Sequence, residues 1–119
     1  MQPYDQLKTQ VDCGFDCSST TIRANDVYSI LQNERRRLII TYLVNFDVGE
    51  KVECSAVADY LESQGDNRQA AYISIIQQHA GRLEKYGLID YDNQKKTVIP
   101  CAGIKKMHDL HRAVENRLN

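Results

Sequence analysis

The sequence lacks the patterns on which most enzyme chemistry is built. It has no nucleophile elbow, no glycine-rich phosphate loop, no dinucleotide fingerprint and no pair of carboxylates set out for acid–base work. A catalytic reading has no residues to stand on, so neither a cofactor nor a small-molecule substrate is expected. No run approaches the roughly 18 apolar residues of a membrane-spanning helix, and no membrane partner is expected. The start, MQPYDQLKTQVDCG, has neither the basic end nor the apolar middle of a signal peptide, which places the chain in the cytosol as an expectation.

Cysteine is present but not in a familiar metal framework. Cys13, Cys17, Cys54 and Cys101 include one close pair, C-G-F-D-C, whose three-residue spacing matches none of the common paired C-x-x-C zinc sites. In a reducing compartment the four are expected to be ordinary thiols with no bound metal. The alternative is a metal or redox sensor built on Cys13 and Cys17, joined by Cys54 or Cys101.

What is there is an ordinary globular composition: 119 residues, 42% hydrophobic and 26% charged. That length supports one domain with one core. The net charge of −1 hides a division. Residues 26–66 carry four cations against eight anions, whereas residues 67–106 carry seven cations against three anions. The second stretch is the one suited to a polyanion.

Along the chain, residues 1–23 show no sustained periodicity and are read as a loosely held arm. Asn25 or Asp26 is expected to cap a short helix, VYSILQ, and Asn33 a second, in which Leu38, Ile39, Tyr42, Leu43 and Phe46 share one side. Val52 to Cys54 reads as a short strand. Ser55 then caps AVADYLESQ with Val57, Ala58 and Leu61 inward, and Gly65, Asp66 and Asn67 end it. From Arg68 to Tyr86 the spacing predicts a longer helix with Tyr72, Ile73, Ile76, Ala80 and Leu83 inward at 100° per residue. Gly87 stops it. LIDYD and KTVIP then alternate around NQKK as a hairpin, with Ile89, Tyr91, Val98 and Pro100 as inner or edge positions. The last segment, GIKKMHDLHRAVENRL, sets Ile104, Met107, Leu110 or His111, Val114 and Leu118 close to a heptad seam.

Helix, short strand, helix, tight turn, longer helix, hairpin, helix is the layout of a winged helix-turn-helix, a mainly α, α+β fold, with one additional C-terminal helix. Two stretches, DVYSILQNERRRLIITYL and AYISIIQQHAGRLEKYGLIDYD, resemble a winged-helix family of archaea, best known from haloarchaea and their mobile elements. The resemblance covers roughly residues 24–100. It implies a winged-helix fold and suggests transcriptional regulation, with the recognition helix at about 68–86 and the wing at about 88–100.

On that reading the partner is double-stranded DNA. The helix face opposite Ile73, Ile76, Ala80 and Leu83 carries Asn67, Ala71, Ser74, Gln78, Arg82 and Lys85, with Arg68 at its start and Lys95 and Lys96 at the hairpin tip. Gln suits adenine edges, Arg suits guanine edges or phosphates, and Ala71 and Ser74 let the backbone approach. A homodimer is expected through Ile104, Met107, His111, Val114 and Leu118, which would set two recognition helices about one DNA turn apart. Arg35, Arg36 and Arg37 stand in a first helical turn, where the dipole disfavours cations, and call for anionic partners: Asp26 and Glu34, or a phosphate. His79 is expected at the core edge, bonded to backbone. His108 and His111, three apart, are read as exposed histidines, with a metal pair as the other possibility. A protein-binding module that touches no DNA is the remaining alternative.

Overall fold

A computed structural model describes residues 24–118. The expected arm over 1–23, with Cys13 and Cys17, lies outside the described residues, as do the side chains of Val114 and Leu118. The described chain is mainly helical with a small three-stranded antiparallel sheet.

Helix α1, Ala24–Leu31, begins before the expected cap, so that Asp26 lies in its first turn. Helix α2, Glu34–Leu43, has the expected cap: Asn33 Oδ1 accepts from the Arg36 N–H at 3.1 Å. It ends three residues before Phe46, because Asn45 Nδ2 donates to the carbonyls of Thr41 and Tyr42, both at 3.2 Å, and closes the last turn.

Strand β1, Val52–Glu53, runs straight into helix α3, Cys54–Ser63. Ser55 is not its cap. The Cys54 N–H, one of the orphan donors of the first turn, is taken by the Lys96 carbonyl at 2.9 Å, so at this donor the hairpin does what a side-chain cap would do. Helix α3 closes with Gly65 at φ +102°; its N–H reaches Glu62 O at 2.9 Å while Asp66 N–H reaches Leu61 O at 3.1 Å. The next helix starts immediately, with Asn67 Oδ1 accepting from Ala70 N–H at 2.8 Å.

That helix has three parts: α4 (Arg68–Ser74), a π-helical segment (Ile75–His79) and α5 (Ala80–Lys85). It stops at Gly87, φ +77°, in the same double bond pattern, with Gly87 N–H to Glu84 O at 2.9 Å and Leu88 N–H to Leu83 O at 3.0 Å. Strands β2 (Ile89–Asp92) and β3 (Thr97–Pro100) then pair in the register Ile89↔Pro100 and Tyr91↔Val98. β1 adds to the other edge of β3, Val52 opposite Val98, giving the order β1-β3-β2. Ile89, Val98 and Pro100 are buried as expected, and Tyr91 is half-buried.

Helix α6, Gly103–Leu118, lies against α2. Ile104 and Met107 belong to the core together with Ile30, Ile39, Ile40, Leu43, Val57, Leu61, Leu83 and Leu88. Of the expected dimer seam, Ile104 and Met107 are thus buried within their own chain, where the marginal helix finds apolar partners. His111 is also buried, with Nε2 3.4 Å from Glu115 Oε2. Among the described residues no helix is long and apolar enough to cross a membrane.

Candidate nucleic-acid interface

From Ala71 onward the long helix buries every fourth residue: Ala71, Ile75, His79 and Leu83. Between them Gln69, Ile73, Gln77, Gly81 and Lys85 keep the same interval, and all five are exposed. An α-helix of 3.6 residues per turn cannot hold a four-residue interval, because each step drifts by 40° and three steps by roughly 120°. The π segment supplies the wider turn that keeps both rows straight. The Ser74 hydroxyl marks the junction, donating to Ala71 O at 2.9 Å.

The altered winding corrects the inward face expected at 100° per residue. Ile73 is 44% exposed and Ile76 and Tyr72 are half-buried, while Ile75 takes the core position. Ala71, expected on the DNA-facing side, has no exposed surface at all. Ser74 is half-buried, with its hydroxyl bonded to Ala71. Asn67 is exposed but caps the helix. Arg68 Nε donates to Asp59 Oδ1. Gln78 and Lys85 are exposed and Arg82 is half-buried. At the hairpin tip Lys95 is exposed, but Lys96 adopts φ +55° and folds its ammonium onto Asn93, donating to the main-chain carbonyl and to Oδ1. Sequence reasoning missed Gln69, Ile73, Gln77 and Gly81, although the interval Ala71, Ile75, His79, Leu83 could have disclosed them.

Charge on this exposed row is all of one sign. Glu84 is the only carboxylate between Arg68 and Lys85, and its Oε2 accepts the Tyr91 N–H at 3.1 Å, which turns it toward the sheet. Lys85 Nζ stands 6.0 Å from the centre of the Tyr86 ring.

The three arginines of α2 all find partners within the chain. Arg35 makes a two-pronged contact with Asp66, Nε to Oδ2 at 2.7 Å and Nη2 to Oδ1 at 2.9 Å. That hydrogen bond holds the Asp66 carboxyl below its ordinary range and raises Arg35. Arg36 Nε donates to Ile30 O at 3.1 Å and Nη2 to Ser29 O at 2.8 Å; Arg37 Nη1 donates to Leu31 O at 2.6 Å. These carbonyls are the orphan acceptors at the C-terminus of α1. Its negative dipole end offsets the unfavourable position at the start of α2.

Arg36 is only 4% exposed, and its Nη1 lies 3.4 Å from Nδ1 of His79, itself 2% exposed. A guanidinium can only donate, so His79 Nδ1 is the acceptor and its proton sits on Nε2. Burial first, then the nearby cations Arg36, Arg35 and Arg82, push the His79 pKa down to about 4. His79 is therefore a neutral core contact rather than a backbone-bonded edge residue.

Nothing in the described region gathers a metal ligand set: among the described residues no three His, Cys, Asp or Glu side chains converge. Cys54 and Cys101 are buried, and burial, reinforced by Glu53, raises the Cys54 thiol to about 11. An open cleft of about 280 Å³ lies between α2 and the α3–α4 turn, lined by Glu34, Arg35, Leu38, Gln64, Gly65 and Asp66. The Arg35–Asp66 pair forms its wall, so the opposed charges neutralise each other there.

No curated protein and no solved structure matches the chain. Residues 28–99, from α1 through β3, match a family described as a domain of unknown function (DUF7344). The match covers more than half of the sequence, and the chain belongs to that family.

Proposed function

We propose that this chain is a DNA-binding transcriptional regulator of winged helix-turn-helix type, with residues 68–85 as recognition helix and the β2–β3 hairpin as wing. The carrying observation is the exposed row Gln69, Ile73, Gln77, Gly81, Lys85, which holds no carboxylate and follows a tight turn that orients it against α3. A merely solvated helix face mixes in Glu and Asp for solubility, whereas this one presents hydrogen-bonding amides and a cation. The excess of cations over residues 67–106, with Lys95 exposed at the hairpin tip, suits a phosphate backbone alongside the groove. The resemblance to an archaeal winged-helix family, mostly of unassigned role, which suggests transcriptional regulation, points the same way.

Two copies on one operator would pair through the outer side of α6, where Leu110 is 39% exposed, because Ile104 and Met107 are enclosed by the core. A thiol sensor would have to rest on Cys13 and Cys17, since Cys54 is buried and its raised pKa leaves it unreactive. Retardation of random duplex DNA in rising salt tests the reading. Binding that weakens linearly in log salt is expected. No binding at low salt would transfer this face to a protein partner.

A further inference from the structure

Resting on that DNA reading, we infer that the recognition helix reads A·T base pairs, with Gln69 and Gln77 addressing adenine and Ala70 and Ile73 packing on thymine methyl groups. A helix in the major groove meets base edges with its N-terminal half. Here that half exposes Gln69, Ala70, Ile73 and Gln77, and its only charged group is Arg68. The groove code pairs Gln with the N6 and N7 of adenine, apolar side chains with the 5-methyl of thymine, and Arg or Lys with guanine.

The guanine-reading residue types are present but placed elsewhere. Arg68 Nε is bonded to Asp59 and its Nη2 lies 3.5 Å from Ser55 O, which directs it back onto α3. Arg82 and Lys85 stand in the last turns of the helix, Arg82 half-buried on the side of Arg36 and His79. They are set for phosphates rather than central base pairs. Ile73, 44% exposed, is the one exposed large apolar side chain of the helix; it stands between Gln69 and Gln77 in the exposed row, where a thymine methyl would cover it.

Gly81 completes the arrangement. It sits in the same exposed row, and a methyl group added there would meet nothing within 4 Å. Glycine in a helix interior lowers stability relative to alanine, and among the described residues no packing requires it. A close approach of nucleic acid to the helix backbone gives it a use.

The test begins with selection of bound duplexes from a random pool by the full chain. An enriched motif with a core of A·T pairs is expected. In that site each thymine is then replaced by uracil, which removes only the methyl group. At one position affinity for the parent should fall about three- to fivefold, the loss expected for uncovering one buried methyl, and the same replacement should have no effect on Ile73→Ala. Gln77→Ala should lose roughly tenfold or more at one A·T position and less on random DNA. Because Ile73 and Gln77 are exposed, both variants should fold, and circular dichroism checks this. A G·C core, or a site indifferent to every uracil, would overturn the base assignment and leave DNA binding standing. A pool with no enrichment and no retained duplex would remove the DNA reading itself, and the assignment with it.

Discussion

Helix α2 and the long helix at 68–85 each carry three cations, and they leave different groups at the surface. In α2 each arginine is matched to an acceptor of the same chain: Arg35 to Asp66, Arg36 to Ser29 and Ile30, Arg37 to Leu31. On the long helix Gln69, Gln77, Gln78 and Lys85 face outward. The run of three arginines, the most basic tripeptide in the chain, is structural, while a less conspicuous row of amides is what a partner can reach. A count of charge says nothing about whether that charge is already satisfied.

The comparison breaks most visibly at Arg36. Arg36→Ala removes two charge-assisted bonds and leaves two α1 carbonyls and His79 without their donor, which should cost on the order of 2 to 4 kcal/mol. Urea unfolding reads this directly. A loss below about 0.5 kcal/mol, the size expected of an ordinary surface change, would mean that α2 does not anchor α1 in this way.

Acid should attack the same pairing. The folded state resists protonating His79 until about pH 4, against an ordinary value of 6.5, so between those values the unfolded chain binds more protons. Stability contributed by neutral His79 is complete above about pH 6.5 and is lost as pH falls toward 4, on the order of 2 to 3 kcal/mol in all. His108, also lowered by burial first, adds to the slope in the same direction. Asp66, lowered by Arg35, acts only below its ordinary 3.8. His79→Gln should therefore flatten most of the slope between pH 6.5 and 4. An unchanged slope would place the titration elsewhere.

A smaller effect separates stability from function. Gly81→Ala meets no neighbour and should stabilise the fold by about 0.5 to 1 kcal/mol, yet weaken duplex binding if nucleic acid approaches the backbone at this point. Thermal melting and duplex titration on the same sample would move in opposite directions. A stabilised variant with unaltered binding would show that nothing packs closely on Gly81.

The smallest expected change distinguishes the two hairpin lysines. Lys95→Ala should leave stability unchanged and reduce the slope of log affinity against log salt by about 1, as removing one phosphate-neutralising cation requires. Lys96→Ala should alter that slope less, because its ammonium is already held by Asn93. Equal reductions for the two would mean that DNA pulls Lys96 away from its own loop.

Much of this molecule was legible before any fold was in hand. The Asn33 cap, the Gly65 and Gly87 stops and the alternation of Ile89, Val98 and Pro100 all act through neighbours in sequence, so the residues themselves announce them. The order of helices and the hairpin follows from such local signals. The side of the long helix that faces out was not legible, because the 100° rule assumes uniform winding, and one π segment is enough to exchange Ile73 for Ile75.

Local sequence thus determined where the elements begin and end, since caps, left-handed glycines and periodicity act within a few residues. Only the tertiary structure decided which polar groups remain available. Cys54 N–H finds the Lys96 carbonyl 42 positions along the chain, Arg35 finds Asp66 31 positions away, and Met107 of α6 joins Ile39 and Ile40 of α2 in one core. Such partners are chosen by burial and by the demand that every buried donor be satisfied, and distance along the chain carries no trace of either.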